Sequence, residues 1–145
     1  MKTFFLAHRK DAADPELVAL SNILVRLLDK IAKGQPYRIV LGRDYFERRF
    51  KSCGSWESWA REVATGVEFL SHSPIFNAIF VPARPVGAGT VKIVELAIAG
   101  RKPVFAFGDE CGATVVAPVA RVEWDPSDWQ SGGRLFLSRP LAEAK

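Results

Sequence analysis

Short apolar runs alternate with helix-spaced apolar stripes from residue 3 to residue 107, and this alternation constrains the fold more than any other feature. Thr3 to Ala7 starts abruptly and reads as a buried strand. Asp14 then offers a helix N-cap, with Pro15 at the first helical position. Leu17, Leu20, Leu24, Leu27, Leu28 and Ile31 recur at helical spacing and form one stripe. Gly34 is the expected stop, with Pro36 just beyond it. Tyr37 to Leu41 reads as a second strand, ended by Gly42. Ser55 can cap a second helix, which carries Trp56, Trp59, Val63, Val67 and Leu70 on one face. Ile75 to Val81 is a third strand, followed by a loop containing Pro82, Pro85, Gly87 and Gly89. Thr90 can cap a third helix with the stripe Val91, Val94, Ala97 and Ile98. Gly100 and Pro103 close that helix, and Val104 to Phe107 is a fourth strand. Val119 to Trp124 reads as a fifth, and Leu135 to Leu137 as a sixth strand or an ordered end.

Strands alternating with helices argue for βαβ units, with helices on both faces of a parallel sheet. The expected fold is therefore α/β: a three-layer α/β/α, flavodoxin- or Rossmann-like arrangement with a short parallel sheet of about five strands. At 145 residues the chain suits one domain spanning 1–145. A composition of 48% hydrophobic and 25% charged residues is that of a globular chain. No apolar run approaches the roughly 18 residues of a membrane span, so the expectation is a cytoplasmic protein without a membrane partner. Cys53 and Cys111 lack metal-ligand spacing and are expected to be reduced thiols, with no metal site and no cofactor. The net charge of +4 and pI near 9.3 suit an anionic small molecule, a nucleic acid or simply solubility. The densest basic stretch, Arg43, Arg48, Arg49 and Lys51, is interrupted by acids and aromatics, which makes nucleic acid an unfavoured partner.

Open parallel sheets bind ligands outside the carboxyl ends of their strands, at the switch point in strand order. Three segments fall there: His8-Arg9-Lys10, Arg43 to Phe46, and Pro82 to Thr90. The turn Val86-Gly87-Ala88-Gly89-Thr90 carries the best local signal. Glycines allow close backbone approach, and a helix start presents amides and a positive dipole end to a phosphate or carboxylate. An ordinary tight turn is the competing reading. The turn is neither a Walker A loop nor a dinucleotide fingerprint, because the spacings fail. His8 makes a cationic corner with Arg9 and Lys10, where an imidazole can hold a phosphate or move a proton; an exposed loop histidine is the competing reading. Asp44 and Tyr45 suit a sugar or base contact. Trp59 suits base stacking or core packing, and Glu62 falls on the same helix. Glu95 is the only acid in the third helix, and His72 reads as structural.

Val86-Gly-Ala-Gly-Thr90, then Ala99-Gly-Arg-Lys-Pro-Val104, together with the opening Phe4-Phe5-Leu6-Ala7-His8, resemble the nucleoside 2-deoxyribosyltransferase-like superfamily. The resemblance covers the first strand and roughly residues 75 to 107. It implies binding of a nucleoside or nucleotide at the sheet edge and a possible homodimer. It also implies attack by a carboxylate on the anomeric carbon, in an N-glycosidase or deoxyribosyltransferase. The family's glutamate falls at position 93, where this chain has Ile93, and Asn77 stands where many relatives carry an acid. Glu95 is two residues on, about 200° around a helix. The candidate catalytic acids are accordingly Glu95, Asp44 and Glu62. The alternatives are a nucleotide-binding or phage accessory module that does not cleave its ligand, and a nucleic-acid or protein interaction module using Arg43 to Trp59.

Overall fold

The computed structural model describes residues 1–8, 13–42, 44–45, 75–128 and 131–144. Among these residues the order is β1 (Lys2–Leu6), α1 (Asp14–Ala32), β2 (Tyr37–Leu41), β3 (Ala78–Pro82), α2 (Ala88–Ala99), β4 (Val104–Glu110), β5 (Ala113–Trp124), β6 (Gly133–Leu137) and β7 (Ala142–Glu143). The helix expected from Ser55 onward lies outside the described residues, as do Cys53 and His72. Among the described residues, no helix is long and apolar enough to cross a membrane.

The sheet runs β2-β1-β3-β4-β5-β6, with β7 also paired to β5. β2, β1, β3 and β4 are parallel, as the βαβ pattern requires. The expectation of an all-parallel sheet of about five strands fails beyond β4, because β5, β6 and β7 join antiparallel. The cause is local. β4 passes into β5 through Cys111 and Gly112, at φ 51° and φ 81°. A two-residue hairpin of the I′ type needs positive φ at both positions, and this turn reverses the chain where a crossover helix was absent.

Period-two alternation sends successive side chains of each strand to opposite faces. Phe4, Leu6, Ala78, Phe80 and Phe107 pack with Leu20, Leu24, Leu27 and Leu28 of α1. Phe5, Ala7, Ile79, Val81, Val104 and Ala106 pack instead with Val91, Ile93, Val94 and Ala97 of α2. The two helices thus cover opposite faces of the strands. Each fully buried leucine of α1 contributes roughly 1.5–3 kcal/mol before the entropy of ordering is subtracted. Ile31, expected on the buried stripe, is 44% exposed at the end of the helix. α1 begins at Asp14 with Ala13 as N-cap, one residue before the expected position, and Lys33 and Gly34 end it in left-handed conformations.

At the start of β2, Tyr37 donates its hydroxyl to Asp29 Oδ1 of α1 at 2.6 Å. Burial first, and this bond second, push the hydroxyl from the usual 10.0 up to about 12. The folded chain therefore holds that proton more tightly than the unfolded chain does. The associated stability is complete below the ordinary tyrosine value and is lost as pH rises from there toward 12. In Tyr37→Phe this alkaline loss of stability is expected to shrink, as read by urea unfolding on both sides of the ordinary tyrosine pKa. An unchanged pH dependence in the variant would contradict the assignment.

Candidate functional site

Because β1, β2 and β3 run parallel, their carboxyl ends share one edge, and both helices start there. His8 stands two residues past β1 and is half-buried. A Cβ placed on Gly42, directly after β2, would lie 3.6 Å from His8 Nε2 and 3.3 Å from the Leu6 carbonyl oxygen. On the other side Thr90, only 4% exposed, donates its hydroxyl to the His8 carbonyl oxygen over a long 3.5 Å. The ends of β1 and β2 and the start of α2 therefore meet around His8.

α2 starts earlier than residue type suggests. Gly87 is the N-cap, in an extended conformation (φ −84°, ψ 175°), and Ala88 and Gly89 are already helical. Thr90 is thus the third helical residue and not the cap. The first intrahelical bond runs from the Val91 amide to the Gly87 carbonyl oxygen at 3.0 Å. The amides of Ala88, Gly89 and Thr90 precede it, as the first amides of any helix do. Among the described residues no side chain caps this end, and its first turn contains no acid. α1 differs at the same edge. Its first turn carries Asp14 and Glu16, which offset the dipole. Glu16 also pairs with Arg84 in the segment after β3.

Gly89 is informative because the fold does not require it. Its backbone is helical, and an added Cβ would meet nothing within 4 Å. Glycine there forgoes about 1 kcal/mol of helix propensity relative to alanine. The turn is held in place from below. Val86 and Gly133 exchange amide-to-carbonyl bonds at 2.9 and 2.8 Å, which ties the approach to α2 onto the start of β6.

The remaining expected site residues fall as follows. Asp44 is exposed, two residues beyond Gly42. Tyr45 is half-buried, its ring edge-on to Phe5 at 6.0 Å and to Phe76 at 6.2 Å. Glu95 is exposed on α2, while Ile93 is buried in the core that α2 shares with Phe5 and Val81. Arg9, Trp59 and Glu62 lie outside the described residues. Among the described residues, no group of three or more His, Cys, Asp or Glu side chains could hold a metal ion. Two elements of the edge went unread in the sequence: the Arg84–Glu16 pair and the Val86–Gly133 bridge. Only the doubled glycine at 132–133 hinted at the second. No protein-family model matches this chain, and no curated protein matches it.

Proposed function

We propose that the chain binds a nucleoside or nucleotide at the carboxyl edge of its parallel strands, with a phosphate against the first turn of α2. One observation carries this reading. Among the described residues, the α2 start has no acid in its first turn and no side-chain cap, is open at Gly89, and meets the His8 carbonyl through Thr90. A dipole end of this kind favours a negative charge. His8 adds an imidazole at the same edge, its Nε2 beside Gly42. Helices on opposite faces of parallel strands fit the three-layer, flavodoxin- or Rossmann-like plan, in which the switch point lies between β1 and β3.

Binding without cleavage is the favoured form. The position of the family glutamate is a core isoleucine, and the nearest acid along α2 is exposed. N-glycosidic chemistry is the second reading, and it rests on Asp44 beside the end of β2. Asp44→Asn would then abolish base release from a nucleotide.

Gly89→Asp tests the proposal. The substitution places a carboxylate where the phosphate would sit, in space that is open. It should stabilise the ligand-free chain by about 0.3–1 kcal/mol through the helix dipole. It should also weaken adenosine monophosphate binding at least about tenfold by calorimetry, as like charges meet. Equal affinity in the variant and the parent would contradict the site.

A further inference from the structure

The amino edge of the same strands holds a second opening, a cleft of about 470 Å³ beneath the last turn of α1. Phe4, Ala78, Phe80 and Phe105 line it from the sheet. The Phe80 and Phe105 rings stack with centroids 5.5 Å apart at 27°, and Phe4 meets Phe80 edge-on at 5.5 Å. Ile31 lines it from the helix, which accounts for the exposure of a residue placed on the apolar stripe. Among the described residues the charged lining is one-sided: Lys2 and Lys33 are present, and no carboxylate is among them. The Tyr37 hydroxyl is engaged by Asp29. The volume lies within the roughly 300–1,000 Å³ of small-molecule sites.

We propose that this cleft binds a small planar aromatic carboxylate, its ring against Phe105 and Tyr37 and its carboxylate toward Lys2 and Lys33. One effect opposes an anion here. The last carbonyls of α1 bring about half a negative charge to this end. Two ammonium charges, on Lys2 and Lys33, oppose it, and the nearby Asp29 carboxylate is engaged by the Tyr37 hydroxyl. Phe105 and Tyr37, the partly exposed rings of the lining, favour a flat body, since offset and edge-on ring contacts add to plain burial. The site is independent of the nucleotide reading, because it lies at the opposite ends of β1, β2 and β3.

The test is a titration of the full chain with 1-naphthoate, followed by calorimetry and backbone amide NMR shifts. Saturable binding is expected, with the largest shifts among Lys2, Phe4, Lys33, Ala78 and Phe105. The neutral analogue 1-naphthalenemethanol should bind about tenfold more weakly to the unaltered protein. The double variant Lys2→Glu/Lys33→Glu, at two exposed positions, should weaken 1-naphthoate by about tenfold or more. Absent or unsaturable binding, equal affinity for the neutral alcohol, or an unchanged affinity in the double variant would each overturn the proposal.

Discussion

Replacing Gly133 with alanine is expected to lower the midpoint of thermal unfolding by roughly 5–10 °C. A Cβ at this position would stand 2.4 Å from Val91 Cγ2, 2.7 Å from Val86 Cγ2 and 2.8 Å from the Val86 carbonyl oxygen. All three distances are far inside contact. Val86 and Val91 are stiff β-branched side chains, each 4% exposed, so neither can swing away. The third neighbour is backbone, already engaged by the Gly133 amide at 2.8 Å. Overpacking of this kind costs about 1–3 kcal/mol, and a simultaneous clash with two side chains and a carbonyl belongs at the upper end. For a domain of this size each kcal/mol moves the midpoint by about 2–4 °C. The effect should extend to binding, because the Val86–Gly133 bridge positions the turn that opens α2. Gly89→Ala is the matching control. With open space and helical backbone it should raise the midpoint slightly, since alanine propagates a helix better than glycine. If Gly133→Ala melted with the parent, the packing of this turn against β6 would be wrong.

Phe80→Ala should be the most damaging core truncation, at about 3–5 kcal/mol. Phe80 is 1% exposed at the centre of an aromatic cluster, with Phe4, Phe105 and Phe107 ring centroids at 5.5, 5.5 and 6.2 Å. Its strand β3 pairs with β1 on one side and β4 on the other, so the surrounding backbone cannot collapse into the void. A loss of this size removes a large share of the stability of an ordinary domain. It should appear as a fall in the urea midpoint with little change in slope. Val18→Ala, on the exposed side of α1 at 58% exposure, should stay within about 0.5 kcal/mol. Equal losses at the two positions would mean that α1 does not present its leucine stripe to the Phe80 face.

The sequence revealed the parallel half of the sheet more clearly than the rest. β1 and β2 begin and end abruptly against charged, proline or glycine residues, and the α1 leucines recur without a break between Pro15 and Gly34. The β4–β5 hairpin was illegible for two physical reasons. Its turn is Cys-Gly, not the Asn-Gly or Asp-Gly that usually marks positive φ at both central positions. Pro118 also interrupts the first half of β5, where a proline argues against a strand, and in the structure it lies beside a register shift between Val119 and Arg121. The start of α2 was misplaced because the N-cap rule looks for a side-chain oxygen. Gly87 turns the chain by its extended backbone alone and leaves Thr90 to reach across to His8. The strand-end rule, which needs only the order of elements, put His8 and Thr90 at one edge, whereas Gly42, which also lies beside His8, was read only as the end of β2. The ion pair of Arg84 with Glu16, 68 positions apart, had no local signal. Ile93 stood outside the stripe read in the sequence, Val91, Val94, Ala97 and Ile98, yet it is only 4% exposed. The helix face it belongs to is packed against the sheet, which leaves no place on that face for a charged side chain.

The most direct measurement is a backbone amide NMR titration of the intact chain with adenosine monophosphate. The proposed site requires saturable shifts at Ala88, Gly89 and Thr90, with His8 and Gly42 responding at the same ligand concentrations. Shifts confined to other parts of the chain, or none at those five residues at millimolar nucleotide, would contradict it.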